Sequence, residues 1–318
     1  MSMYLEVSDR RRVAEDIVEL TLRHRDGRPL PAWSPGAHID LIVSPGVIRQ
    51  YSLCGAREDR QHYRIAVLRK EIGRGGSKAV HDHADLGSVF EVAGPRNNFE
   101  LEPAGSYLFV AGGIGITPII PMVHAVVESG THWQLVYGGR RRASMAYVNE
   151  LERLGPNVSI HPQNVGGLLD LSRHLSQCVA DTLIYCCGPE SLLAAVEDYC
   201  GRLELSAALR LERFHPRQHT ESGGDAEFEI ELCSTGRVLT VPIDRSVLDV
   251  LRDSGIDVTS SCEEGICGSC EIQVCSGIPE HRDSILTDEE REACDRMIVC
   301  VSRSRSTRLC LDVKPPDQ

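Results

Sequence analysis

The stretch SSCEEGICGSC, residues 260–270, puts three cysteines into nine positions, as Cys262-x4-Cys267-x2-Cys270. Twenty-nine intervening residues later comes Cys300, in the apolar run MIVCVSR. C-x4-C-x2-C followed by a distal cysteine is the ligand spacing of a [2Fe–2S] cluster, whose two bridged irons each take two further sulfur ligands. Gly265 and Gly268 suit such a loop. The chain must bend sharply there and turn backbone N–H groups toward sulfur, and glycine permits both. Structural zinc sites more often use paired C-x2-C units, and only one is present. Cys294, in EREACDRM, is the one serious rival to Cys300. Cys54, Cys178, Cys186, Cys187, Cys200 and Cys233 read as small buried apolar residues.

The rest of the chain is ordinary globular material. It has 318 residues, 42% of them hydrophobic and 25% charged, enough for two or three domains. The 13 cysteines are an odd number, and the N-terminus MSMYLEVSDRRR lacks an apolar export signal. Both features point to a reducing, cytoplasmic setting and to metal or redox chemistry rather than a disulfide framework. No run is long and apolar enough for a membrane span. A net charge of −12 disfavours nucleic acid, which needs Lys and Arg to replace counterions.

Working outward, the hydrophobic period changes twice. Residues 1–103 carry short alternating runs, VAEDIVELTLRH (13–24), HIDLIVS (38–44), HYRIAVLRK (62–70) and VFEVAG (89–94), and predict an antiparallel β-barrel. From 104 to 218, apolar strands alternate with helical runs: SYLFVAGG (106–113), ITPIIPMVHAVVESG (116–130), WQLVYGGR (133–140), MAYVNELERL (145–154), DTLIYCCGP (181–189) and ESLLAAVEDYCGRL (190–203). That alternation predicts βαβ units and a parallel sheet. Residues 219–227, within HPRQHTESGGDAE, read as a linker. Residues 228–318 open with a hairpin about Ser234-Thr235-Gly236, continue into a helix at VLDVLRDSGI (247–256), and close with strands at EIQVCSG (271–277) and RLCLDV (308–313).

Three further motifs offer anion contacts. AGGIGITP (111–118) follows a strand and opens a helix, so glycines let backbone amides approach a pyrophosphate at a helix N-terminus. Pro118 falls in that helix's first turn, where its missing N–H costs nothing. Cys187-Gly188-Pro189 marks a second strand end, where ligands bind in doubly wound sheets. Arg49, Tyr51 and Ser52 offer a bidentate phosphate grip, a ring and a hydroxyl. EIGRGGSKAVH (71–81) offers a second anion cradle.

In order and in kind, R-x-Y-S, G-R-G-G-S, G-G-I-G-I-T-P, C-G-P and C-x4-C-x2-C…C resemble the phthalate dioxygenase reductase family, over essentially the whole chain. These are the flavin- and iron–sulfur-containing reductases of Rieske-type oxygenases. The resemblance implies an FMN-binding β-barrel, an NAD-binding α/β domain and a C-terminal β-grasp-like plant-type ferredoxin domain. It implies that Arg49, Tyr51, Ser52, Gly76 and Ser77 hold FMN, with Arg49 on its phosphate. Gly113, Gly115, Ile116 and Thr117 would line the NADH site, with Cys187, Gly188 and Pro189 opposite. Phe214, in Glu212-Arg213-Phe214, would pack near the flavin ring. Cys262, Cys267, Cys270 and Cys300 would hold the cluster. Arg140, Arg141 and Arg142 stand where the adenosine ribose is usually met, and arginine there can accept the 2′-phosphate of NADPH.

The function implied is transfer of electrons from NADH through FMN and the cluster to the terminal oxygenase of a two-component Rieske-type system. No general acid–base pair is required. A reductase for a diiron or haem oxygenase, or a non-enzymatic iron–sulfur protein, are the alternatives.

Overall fold

The structure, a computed structural model, describes residues 2–44, 47–71, 75–216 and 226–313. The chain divides into two compact units, Met1–Glu212 and Arg213–Gln318.

The first unit holds two sheets. Strands β1 (Ser2–Ala14), β2 (Ile17–Arg23), β3 (His38–Ser44), β4 (Val47–Ser52), β5 (Tyr63–Leu68) and β6 (Val89–Arg96) form an antiparallel sheet in the order β4-β3-β6-β1-β2-β5. An antiparallel bridge from Leu53 to Ile65 ties the end of β4 to β5 and curls the sheet onto itself. Leu5, Leu20, Leu22, Ile39, Leu41, Ile65 and Val92 fill it. Helix α1 (Gly76–His83) lies between β5 and β6 in the chain. The run expected as one strand at 13–24 is instead a hairpin: β1 ends at Ala14 and β2 starts at Ile17. Asp16 makes the turn at φ +57°, a conformation that short polar side chains tolerate.

The second sheet is parallel. It comprises β7 (Ser106–Gly112), β8 (His132–Gly139), β9 (Val158–Pro162), β10 (Thr182–Cys187) and β11 (Leu209–Glu212), in the order β11-β10-β7-β8-β9. Every residue of β7 is buried, as a central parallel strand requires. Helices α2 (Ile116–Ser129), α3 (Val148–Glu152), α4 (Gln163–Gly166), α5 (Leu171–Leu175) and α6 (Glu190–Arg202) connect the strands. The chain runs β7, β8, β9 to one side and then returns to β10 on the other. The switch point therefore lies between β7 and β10, where open α/β sheets bind ligands.

Specific polar contacts join the two sheets. Tyr147 Oη donates to the buried Glu19 carboxylate of β2 at 2.7 Å. Tyr185 Oη of β10 accepts from Glu102 N–H and donates to Glu100 O, both at 2.8 Å.

The second unit is built on β12 (Phe228–Leu232), β13 (Val238–Val241), β14 (Glu271–Ser276), β16 (Arg296–Ile298) and β18 (Arg308–Asp312), ordered β13-β12-β18-β14-β16, with the short pair β15 (Pro279–Glu280) and β17 (Arg303–Ser304) beside them. Only β12 and β18 run parallel, so the sheet is mixed, and helix α7 (Val247–Asp253) packs on it through Val247, Leu248 and Leu251. Ser246 and Asp249 form a capping box at the start of α7, a device worth about 1 kcal/mol. Helix α8 (Asp288–Ala293) precedes β16. Of the expected linker, residues 219–225 lie outside the described residues.

Candidate cofactor sites

The glycine motif at the end of β7 is explained by what it touches. A Cβ on Gly115 would lie 2.3 Å from Cys187 O and 2.7 Å from Gly188 N. One on Gly112 would lie 2.7 Å from Pro189 Cδ. Side chains at these points would force the two strand ends apart. The predicted motifs 111–118 and 187–189 therefore meet backbone to backbone at the switch point. Gly113 turns at φ +55° with open space where a side chain would be, and its carbonyl accepts from Tyr137 Oη at 3.0 Å. Helix α2 begins at Ile116 without a side-chain cap and without an acidic residue in its first turn. Ile116 N–H is already bonded into the 3-10 turn over Gly113–Gly115 that leads into the helix, so what the helix start offers an anion is its dipole, with no acid opposing it. Ile116 and Thr117 are buried, and the Thr117 hydroxyl donates to Ile114 O at 2.9 Å. They shape the turn from inside rather than presenting side chains to its mouth.

Arg49 and Gly76 also meet, although twenty-seven positions apart in the sequence. A Cβ on Gly76 would come within 2.5 Å of Arg49 Nε, so the guanidinium lies directly over the first residue of α1. This helix too lacks a side-chain cap and a first-turn acid. An arginine over an uncapped helix start is a fit for a phosphate. Ser77 Oγ accepts from Lys70 N–H at 3.1 Å and ties the helix to the end of β5. Residues 72–74 of the expected cradle lie outside the described residues. Tyr51 Oη is buried with no hydrogen-bond partner among the described residues, an orphan that a bound ring system would satisfy.

The residue that sequence reading passed over is Glu212. It closes β11 in register with Cys187, whose Sγ lies 3.8 Å from Glu212 Oε2. Ser52, at the end of β4, flanks the same carboxyl. Burial pushes that carboxyl up to about 8, against smaller opposing effects of Cys187 and Ser52, and it raises the Cys187 thiol well above its usual range. The flavin motif of the first sheet and the nucleotide motif of the second therefore share one buried, proton-holding group. The available signal was an acidic residue at the end of a strand that is itself too short to read. Phe214 is half-buried and falls in the second unit.

The arginine run resolves unequally. Arg141 reaches Glu15 at 2.5 Å, and Arg142 grips Glu152 through both carboxylate oxygens at 2.7 Å. Arg140 is exposed; its carbonyl accepts from Asn164 N–H at 3.1 Å, and its guanidinium has no hydrogen-bond or ion-pair partner among the described residues.

In the second unit the cysteine loop is set by three left-handed residues, Glu263, Gly265 and Gly268. A Cβ on Gly265 would strike Val301 Cγ2 at 2.6 Å. Cys262, Cys267 and Cys270 are buried, and Cys300 is half-buried in the turn after β16 rather than on a strand. The thiols associate in two pairs, Cys262 with Cys267 and Cys270 with Cys300. Two pairs of thiolates are what a two-iron cluster needs. Cys267 is held low by Cys262 and by Ser269, whose Oγ lies 3.0 Å from its sulfur, and Glu264 N–H donates to Cys262 Sγ at 3.3 Å. The rival Cys294 caps α8 and directs its thiol to Arg291 O. Around the loop Glu263 is exposed and held by Arg252 at 2.8 Å, while Glu264, Ile266 and Ser269 are half-buried. Two of the cysteines expected as buried apolar residues are not: Cys233 is exposed and Cys178 is half-buried.

Residues 230–305 match the 2Fe-2S iron-sulfur cluster binding domain, and residues 109–163 match the oxidoreductase NAD-binding domain. Phthalate dioxygenase reductase of Burkholderia cepacia is 36% identical over 97% of this chain and 97% of its own length. The phenoxybenzoate dioxygenase subunit beta of Ectopseudomonas oleovorans is 38% identical over 94% of each. A solved phthalate dioxygenase reductase, described as modular for electron transfer from pyridine nucleotides to [2Fe-2S], aligns over 98% of both chains with a TM-score of 0.70 and 36% identity. An intact type IV self-sufficient cytochrome P450 monooxygenase aligns at TM-score 0.91 and 40% identity, over 98% of this chain but 41% of that longer one. Among the described residues no helix is long and apolar enough to cross a membrane. The chain belongs to the phthalate dioxygenase reductase family, oxidoreductases of oxygenase systems that carry electrons from pyridine nucleotide to a [2Fe–2S] centre.

Proposed function

We propose that this chain is the cytoplasmic NADH-dependent reductase of a two-component Rieske-type mono- or dioxygenase, with FMN between the nicotinamide and the cluster. In this reading residues 1–103 hold FMN, 104–218 hold NADH, and 228–318 hold the cluster. FMN supplies the conversion between a donor that gives two electrons as hydride and a metal centre that accepts one at a time. Arg49 and the start of α1 bind its phosphate; Tyr51 flanks its ring. Gly113, Gly115 and the N-terminus of α2 bind the dinucleotide, and Cys187, Gly188 and Pro189 wall the nicotinamide. Cys262 and Cys267 hold one iron, Cys270 and Cys300 the other.

The observation that carries the proposal is the junction of Ser52, Cys187 and Glu212. One buried group at which both motifs end supports a ring-on-ring site there. The electron acceptor has a second reading, a cytochrome P450, favoured by the closer structural agreement with the self-sufficient monooxygenase. An anaerobic absorption spectrum before and after NADH, then NADPH, tests the donor and both resident cofactors together. Boiling should release FMN. Reoxidation of the reduced cluster by a purified Rieske oxygenase but not by a P450 decides the acceptor, and the reverse result overturns the Rieske assignment.

A further inference from the structure

We propose that Cys233, Cys275 and Cys310 form a second metal site, a trithiolate for a thiophilic d10 cation of the zinc class, on the outer face of the sheet in the second unit.

The period of two along each strand places them there. Ile230 and Leu232 of β12, Val274 of β14, and Leu309 and Leu311 of β18 are buried in the core, so the alternate positions face outward. Cys310 is one of these. Cys233 extends β12 by donating its N–H to Leu311 O at 2.9 Å, which sets it beside Cys310. Cys275 sits at the irregularity between Val274 and Ser276 in the pairing of β14 with β18. Strands β12, β18 and β14 are neighbours in that order, and all three sulfurs fall within 4.8 Å of one another. None is a residue of the cluster loop.

The structure joins Cys233 and Cys310 as a disulfide, with Cα atoms 5.8 Å apart. A disulfide employs two of the three thiols and leaves unexplained why a third, from a third strand, converges on them. A tetrahedral zinc site explains all three: Zn–S bonds near 2.3 Å put sulfurs roughly 3.8 Å apart. The disulfide is the oxidised form of the same site. A dithiol restores the two thiols by giving two electrons and two protons as it closes to its own disulfide; a phosphine gives the two electrons and becomes its oxide, with water supplying the oxygen and the two protons. Binding of the dication then releases the three thiol protons as three Zn–S bonds form. Soft thiolates select d10 cations over magnesium or calcium. The fourth position is left to water. Glu231, in register with Cys310, is already taken by Arg308 at 3.1 Å. Because β14 begins immediately after the cluster ligand Cys270, metal here would pin the strand that leads away from the cluster.

The test uses full-length protein with its cluster intact, reduced anaerobically with a phosphine. Zn2+ is titrated against a chromophoric chelator, and Cd2+ is added separately to read the ultraviolet thiolate-to-metal band. Wild type is compared with Cys275→Ser and with a variant in which Cys233, Cys275 and Cys310 are all serine. The expected result is one Zn2+ for every two irons, a Cd2+ band, at least about tenfold weaker binding in Cys275→Ser, and no binding in the triple variant, with the visible cluster spectrum unchanged throughout. Equal binding by wild type and the triple variant, no binding by reduced wild type, or a Cys233–Cys310 bond that survives reduction in the folded protein would each overturn the proposal. The cluster spectrum reports folding of every variant.

Discussion

Cys187 Sγ faces Glu212 Oε2 at 3.8 Å, in register on adjacent parallel strands, with Ser52 near the same carboxyl. A carboxyl raised to about 8 by burial is protonated in the neutral range, and in the proposed function it holds that proton beside the nicotinamide site. The rate of ferricyanide reduction by NADH should therefore bend near pH 8. In Glu212→Gln the bend should vanish, with a rate loss of about tenfold or more. Stability should follow the same group. The folded state holds this proton more tightly than the unfolded chain, so the neutral carboxyl's contribution is whole below the unfolded value and is lost as pH rises through about 8. Wild type should lose thermal stability between about pH 5 and 8 relative to Glu212→Gln; parallel pH profiles would remove Glu212 from the role.

Gly115 is predicted to tolerate no side chain. Alanine would put Cβ 2.3 Å from Cys187 O, against backbone that cannot swing away. Gly115→Ala should cost roughly 1–3 kcal/mol in the first unit and raise KM for NADH by about tenfold or more. The iron content and cluster spectrum should be unchanged, because the cluster cysteines lie in the other compact unit.

How legible this was depends on how local the signal is. The cluster cysteines and both glycine turns were readable because each motif is one short stretch with a fixed physical demand. The parallel strands at 106–112, 132–139 and 182–187 were readable because burial on both faces makes them continuous apolar runs. Strands β9 and β11 were not: each is four or five residues, and each of those residues is partly exposed as a whole, with the Glu212 carboxyl alone tucked in at the end of β11. The β1–β2 hairpin was hidden because its turn uses Glu15 and Asp16, with neither Gly nor Pro to punctuate it. Glu212 and the Arg49–Gly76 contact were hidden for a different reason. Their meaning lies in a pairing across strands or across distant segments, which no local window contains.

Arg49→Ala should lower bound flavin after gel filtration by at least about tenfold. Gly76→Ala should do the same without removing a charge, because its Cβ would occupy the place of Arg49 Nε. Flavin fluorescence of the boiled supernatant measures both. Full flavin occupancy in both variants would place the phosphate elsewhere.

The two thiol pairs make a sharper prediction for the second unit. Cys300 associates with Cys270, whereas Cys294 points to Arg291 O from the end of α8. Cys300→Ser should therefore abolish the low-temperature paramagnetic signal of the reduced cluster, and Cys294→Ser should leave it intact. In both variants NADH should still reduce ferricyanide at close to the wild-type rate, since that step draws only on residues of the first unit. Cytochrome c, which accepts single electrons, should distinguish them: its reduction should fall by about tenfold or more in Cys300→Ser alone. A normal cluster in Cys300→Ser would mean that another cysteine completes the second iron, and the pairing read from the structure would then be wrong.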